Sequence, residues 1–508
     1  MPKSLHAKPL TLGLLVLAFL MRVEHRSAYR NLFLDTEVQV AAAHQAIEGQ
    51  GFTWPRVQGE DWSQVYSQPL DMVAPGYSRL LAVSLWITHD PYAAIWWVDF
   101  VALMLIFGAI HGIFHALTGS HFHRNYRWYL IFIALSPAPL HYLSGSGMWA
   151  LACLSLAWWL TIGKFSWGKS LLAIGLMVLA AWTRIAYLSL LPLLPICWLV
   201  EGLRRKDRKQ LWLGAGVMLL AMAWLIRELT QSSVPSYYAD QRGIFPEHLL
   251  QLEPFPFKAF LYYGLPHELA LRGFSEIAWV GLQVLAYGVS LALVAMAIWT
   301  GWRTWRKPDS SAPARFAIEI FVTTVLTLGL LGYQSLTHPP ETWNWIGFWT
   351  FLMEPRYYAP AMLGLVIWLF FQVGKMENGW LKKGLRLWLL AVTLAAYTYP
   401  LWLKIRLYVL DEPAGTFYAD PNPAYLHALQ QLADTTTLPL VAVGYPGSQA
   451  PAMVGVPTVE AEELEEFSTS SPIYLVAPAE VLPELPPEIS AEELPFEPGY
   501  QLWRLSTH

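Results

Sequence analysis

Apolar runs of the length a bilayer core asks of a helix, roughly 20 residues, recur along this chain. They lie near residues 9–25, 92–118, 127–144, 147–163, 169–186, 187–202, 210–228, 275–302, 314–334, 357–374 and 386–404. A soluble surface of this size needs more charge than the 14% of charged residues present beside 55% hydrophobic ones. The expected fold class is therefore mainly α, a polytopic membrane protein with about 11 transmembrane helices. The first run is short, but Arg22 and Arg26 follow it and no small-residue cleavage site does. It reads as an uncleaved span rather than a signal peptide.

Charge sets the expected orientation. Lys3 and Lys8 precede the first run. Basic residues also fill alternate loops: Arg124 and Arg127, Lys164 and Lys169, Arg204 to Lys209, Arg303 to Lys307, and Lys375 to Arg386. By the positive-inside rule these loops and the N-terminus are cytoplasmic. An odd number of spans then places the C-terminal region outside. That region differs in character: after residue 410 there are fifteen acidic residues and one basic residue, Arg504. The expected domains are a transmembrane domain over 1–407, with long outer loops at 26–91, 229–274 and 335–356, and a small acidic extracytoplasmic α/β domain over 408–508. The expected location is a bacterial plasma (inner) membrane. Cys153 and Cys197 lie in apolar stretches and form no disulfide framework.

The outer loops are rich in Trp, Tyr and Pro, as suits chain at headgroup level. Two amphipathic stretches, Glu37 to Ile47 and Tyr77 to Ile87, read as helices lying in the interface, with ordinary loop as the alternative. In the C-terminal region, Ala424 to Ala433 reads as a helix. Residues 438–443, 473–477 and 500–504 read as strands, with a Pro- and Glu-rich segment from Pro478 to Glu497 between the last two.

The sharpest chemical feature is Asp35-Thr36-Glu37, just after the first run. Two carboxylates two residues apart at a helix start suit a general base or a metal ligand. Helix capping by Asp35 is the competing reading, and both roles can coexist. Arg184, in Ala181-Trp-Thr-Arg184, and Arg356, in Glu354-Pro-Arg-Tyr-Tyr-Ala-Pro360, sit at outer ends of runs. There a guanidinium either holds a lipid phosphate bidentately or anchors the helix by snorkelling. Arg79, near Tyr77, is a weaker candidate of the same kind. His338 and Glu341 share an outer loop, as do His248, His267 and Glu268, without metal-ligand spacing.

Taken in order, these elements resemble the GT-C membrane glycosyltransferases, the superfamily of protein O-mannosyltransferases and lipid A aminoarabinose transferases. Asp35 and Glu37, with Glu48-Gly-Gln-Gly-Phe52 after them, resemble the family's acidic motif and its Gly-rich sequel. Ala74-Pro-Gly-Tyr-Ser-Arg-Leu-Leu81 resembles its interfacial helix. Ser136-Pro137 with Tyr142 and Ser144, then Thr183-Arg184, then Arg356-Tyr-Tyr-Ala-Pro360 follow in the family's order. One departure is that Ser144-Gly-Ser-Gly-Met-Trp149 carries no acidic residue where relatives often have one.

The resemblance implies an inverting transfer of a sugar from a polyprenyl-phosphate donor to an acceptor hydroxyl. It implies Asp35 as general base, Glu37 orienting the acceptor or holding a metal, and Arg356, Arg184 or Arg79 on the donor phosphate. Tyr77, Tyr357, His338 and Glu341 are expected to line the substrate cavity. A divalent metal ion, held by Asp35 and Glu37, is the candidate cofactor. Membrane lipids and a lipid, glycan or protein acceptor are the expected partners, and nucleic acid is not. The alternatives are a membrane transporter, or a non-catalytic lipid-binding or assembly protein. A transporter suits repeats and mid-membrane acids. No internal repeat is apparent, and Glu319 is the acid nearest mid-span.

Overall fold

The computed structural model describes residues 34–58, 61–70, 74–118, 145–163, 165–231, 311–337, 355–375, 423–444, 450–460, 468–479 and 489–507, with a few isolated positions besides. The runs at 9–25, 127–144, 275–302 and 386–404 lie outside these residues, isolated positions apart. The chain forms two compact units. One, helical, comprises residues 1–28, 100–143 and 147–404; the other, mixed, comprises 29–99, 144–146 and 405–508.

The mixed unit begins with α1 (Leu34–Ile47), whose first turn carries Asp35 and Glu37 where the helix dipole favours negative charge. Asp35 thus lies inside the helix, one residue past its start, rather than ahead of it. A hairpin follows, β1 (Thr53–Gln58) and β2 (Asp61–Pro69), with Trp54 opposite Gln68 and Val57 opposite Val65. Next, α2 (Pro75–Thr88) opens on Pro75, whose missing N–H costs nothing in a first turn. His89 closes it in the left-handed conformation, its N–H donating to the Leu85 carbonyl. This helix buries Tyr77, Ser78, Leu81 and Leu85 and exposes Val83, Trp86 and Ile87. The companion stretch behaves otherwise: Thr36 through Ala43 are all buried, so α1 shows no exposed stripe over most of its length.

The helical elements are α3 (Pro91–Thr118), α4 (Ser146–Thr161), α5 (Trp167–Thr183), a 3-10 turn at Ile185–Leu190, α6 (Leu193–Arg205), α7 (Arg208–Gln231), α8 (Ala312–Thr337) and α9 (Pro355–Lys375). Pro91–Thr118, Ile185–Arg205, Arg208–Arg227 and Ala312–Leu330 are long and apolar enough to cross a bilayer. Ser146–Thr161, Trp167–Thr183 and Ala359–Gln372 are shorter apolar helices. The chain is a polytopic membrane protein. The core of the helical unit includes Phe114, Trp158, Phe316 and Phe371, with Trp158 meeting Phe316 edge to face at 6.1 Å. The α6–α7 hairpin turns at Lys206 (φ 57), and a Cβ on Gly202 would stand 2.9 Å from the Leu211 nitrogen. Only glycine lets the two helices approach this closely.

The rest of the mixed unit is α10 (Pro423–Thr435), β3 (Leu440–Gly444), a 3-10 turn at Ala450–Val454, β4 (Thr458–Glu460), β5 (Ile473–Pro478), β6 (Ile489–Leu494) and β7 (Tyr500–Thr507). They form a five-stranded sheet in the order β4-β3-β5-β7-β6. β3 is parallel to β4 and β5, while β7 is antiparallel to β5 and β6. The expected helix and three strands coincide with α10, β3, β5 and β7. β6 arises within the Pro- and Glu-rich stretch. It is an edge strand carrying Glu492 and Glu493, a composition that blunts edges against further pairing.

Residues far apart in sequence share this unit's cores. Trp62 of β2 is 2% exposed and packs with Val441, Val443, Leu475, Trp503 and Leu505 of the sheet. The Trp62 backbone N–H donates to the Ser468 carbonyl at 3.1 Å. Val38, Ala41 and Trp54 gather around Ala452 of the second 3-10 turn. The unit therefore draws on both sides of the boundary expected at residue 407, and α1 is covered by chain some 400 residues downstream.

Candidate functional site

Four chain segments of the mixed unit meet around the first turn of α1. Thr36 and Glu37 are buried there, and Gln39 donates from Nε2 to the Ala74 carbonyl at 3.4 Å, tying α1 to the start of α2. Tyr77, 0% exposed, donates its hydroxyl to Asp99 Oδ1 at 3.3 Å. Asp99 is itself 2% exposed, in the third turn of α3. Its Oδ2 accepts the Gly145 N–H at 3.4 Å. Gly145 has φ +57, and a Cβ there would stand 3.0 Å from Tyr77 Cε1 and 3.1 Å from Thr36 Oγ1. Backbone sign and space both demand glycine at this position.

The structure brings together some of the sequence candidates. Asp35 is half-buried and Glu37 is 2% exposed, on the same helical turn. Side chains two apart on a helix point roughly 200° away from each other. Asp35 and Glu37 therefore do not converge as a chelating pair. Among the described residues no three His, Cys, Asp or Glu side chains gather as metal ligands. Among the described residues, Asp35 and Glu37 thus make no metal site by themselves. Tyr77 belongs to the cluster. Arg79 is exposed, its guanidinium 5.3 Å from the Phe52 ring centroid. That stacking places a cation on an aromatic face.

Other candidates lie elsewhere. Arg184 belongs to the helical unit, half-buried between α5 and the 3-10 turn, its N–H donating to the Ala180 carbonyl. Arg356 and Tyr357 fall in the first turn of α9, their side chains outside the described ones. His338 and Glu341 lie outside the described residues. Asp99 is the member that sequence reading missed. Its signal was present: an ionisable residue inside an apolar run is a functional candidate by default.

No protein-family model and no curated protein matches the chain. Solved structures do. The chain is similar to ArnT from Cupriavidus metallidurans bound to undecaprenyl phosphate, at 14% identity over 99% of this chain and 98% of that one, with a TM-score of 0.38. It is likewise similar to the apo state of that protein, at 13% identity over 98% of both chains, with a TM-score of 0.41.

Two further polar clusters stand out. In the helical unit, Glu201 of α6 accepts from Arg205 Nη2 at 3.2 Å and lies 3.2 Å from Arg315 Nε of α8. Glu201 and Arg315, with Thr161, Gln210 and buried Glu319, line a cavity of about 20 Å³. That is room for about one water molecule. In the mixed unit, Asp61 accepts from the Ser63 hydroxyl at 2.6 Å and from the N–H groups of Ser63 and Ser470, each at 3.1 Å. The Ser63 hydroxyl first, then Ser470, holds its carboxyl well below the usual carboxylate range.

Proposed function

We propose that this chain is a GT-C-like glycosyltransferase of the bacterial inner membrane, moving a sugar from a polyprenyl-phosphate donor to an acceptor hydroxyl at the outer face. One observation carries the reading. The Asp35-Thr36-Glu37 motif opens a helix in which Asp35 stays half-buried, while Thr36 is buried beside Tyr77 and Gly145 and Glu37 is buried too. A half-buried carboxylate on a rigid, fully packed helix suits a group that must meet a substrate proton. The order of motifs along the sequence supports the same reading.

In this mechanism the acceptor hydroxyl attacks the anomeric carbon and gives its proton to the Asp35 carboxylate. The carbon–oxygen bond to the lipid phosphate breaks with inversion, and its electron pair leaves with polyprenyl phosphate. An unassisted hydroxyl is a poor nucleophile at neutral pH, which is why a base is needed. The departing phosphate gains charge that a guanidinium offsets, and Arg79, Arg184 and Arg356 are the candidates. The N-terminus is cytoplasmic and residues 408–508 are extracytoplasmic. The exposed Val83, Trp86 and Ile87 of α2 rest on the lipid surface.

Asp35→Asn tests the assignment. In proteoliposomes with a labelled polyprenyl-phosphate sugar, the variant releases polyprenyl phosphate at least about 100-fold more slowly, as loss of a general base implies, yet binds the donor as tightly. Unchanged turnover in the variant removes Asp35 from the chemistry. A transporter is the second reading, and the buried Glu201, Arg315 and Glu319 cluster among apolar helices is what favours it. Solute flux through proteoliposomes, abolished by Glu319→Gln, would establish that reading instead.

A further inference from the structure

We infer that Asp99 is a positioning residue of the transfer site, acting through Tyr77 and Gly145 to set the first turn of α1. The inference rests on the proposed transferase reading and extends it to a residue that the reading does not require.

Asp99 stands nine residues into a helix that otherwise packs apolar side chains, and it is 2% exposed. A buried carboxylate is costly unless donors meet it. Here its two oxygens take different donors from different parts of the chain. Oδ1 faces the Tyr77 hydroxyl of α2, and Oδ2 faces the Gly145 N–H just before α4. One side chain thus joins α2, α3 and the approach to α4. Those same two groups are the ones pressed against Thr36, since a Cβ on Gly145 would meet both the Tyr77 ring and the Thr36 hydroxyl oxygen. Thr36 lies between Asp35 and Glu37. The path from Asp99 to the proposed base therefore passes through contacts that leave no slack for a methyl group.

A neutral apolar residue would fill the same volume at lower cost. The carboxylate's particular property is that it accepts from both donors at once. An amide at position 99 keeps one acceptor oxygen and turns a nitrogen toward the other donor. The predicted consequence is a small shift of Tyr77 or Gly145, passed to Asp35 as misorientation rather than as lost affinity for the lipid. Misplacement on this scale lowers a chemical step by up to about 100-fold.

The experiment is a double-mutant cycle on the full chain in proteoliposomes, using Asp99→Asn, Tyr77→Phe and the pair, with kcat and the donor KM measured for each. Asp99→Asn lowers kcat about 10- to 100-fold and leaves the donor KM nearly unchanged. Tyr77→Phe lowers kcat by less. The pair is no slower than Asp99→Asn alone, because both changes cut one path. Full kcat in Asp99→Asn, or losses that multiply in the pair, overturns the inference. Should Asp99→Asn fail to fold, Tyr77→Phe decides: a lower kcat at constant KM supports the path, and an unchanged kcat overturns it. A wild-type chain that neither binds undecaprenyl phosphate nor releases it from a sugar donor overturns the transferase reading itself. A wild-type chain active beside an equally active Asp99→Asn overturns the positioning role alone.

Discussion

Replacing Trp62 by Ala should loosen a sheet whose strands begin nearly 380 residues further along the chain. Trp62 comes from the β1–β2 hairpin, yet its ring is 2% exposed within the core of β3, β5 and β7. Full burial of a Trp removes roughly 150–250 Å² from water. At about 25 cal/mol per Å² this is worth about 4–6 kcal/mol. The unfolded chain already hides part of that area, and losses measured for such truncations run about 3–5 kcal/mol. Trp62→Ala should therefore destabilise the unit by about 4 kcal/mol. At 1.36 kcal/mol per decade it corresponds to about a thousandfold faster amide exchange in strands that open globally. The assay is hydrogen exchange read by mass spectrometry on peptides covering 440–444, 473–478 and 500–507, in detergent or nanodiscs. Val65→Ala on the same strand is the control, since Val65 is 43% exposed. Its effect should stay within about 0.5 kcal/mol. Undiminished protection of β3, β5 and β7 in Trp62→Ala would refute the claim that loop and tail fold as one body.

Three other outcomes follow from the geometry. The Asp61 carboxyl is held below its unfolded value, so its stabilisation is complete above the unfolded pKa, about 3.9, and is lost as pH falls through the folded value. Protection of the hairpin should therefore decline below about pH 4 in wild type, and Asp61→Asn should flatten that decline. Gly145→Ala must adopt φ near +57 against the Tyr77 ring. It should cost about 1–3 kcal/mol, read as a lower melting temperature. Glu201→Ala leaves Arg315 buried without its nearest carboxylate. It should cost about 3–5 kcal/mol, most of it recovered when Arg315→Leu is added, as is usual for buried pairs.

Particular residues show what the sequence could and could not convey. Helix α3 was legible because Pro91 to Thr118 is a long run in which apolar residues greatly outnumber polar ones. The same run concealed Asp99, a single charge that hydropathy averaging absorbs. Position 35 was legible as a candidate because two acids stand close together where a helix starts. That Asp35 and Glu37 point away from each other was not, because spacing in sequence becomes direction only once the helix is known. The burial of α1 on all sides depends on Ala452 and β1, and no local pattern announces partners that distant. Strand β6 hides for the opposite reason: its edge position rewards the glutamates that make it look irregular.

In the proposed transferase, the carboxylate at position 35 faces the outer side, where lipid phosphate can reach it. Asp35→Cys in a background lacking Cys153 and Cys197, both buried, allows a direct measurement with a membrane-impermeant maleimide on sealed, oriented vesicles. The cysteine should be labelled from the outer face, more slowly when undecaprenyl phosphate is added to the bilayer. Labelling only after the vesicles are opened to their cytoplasmic side would contradict it.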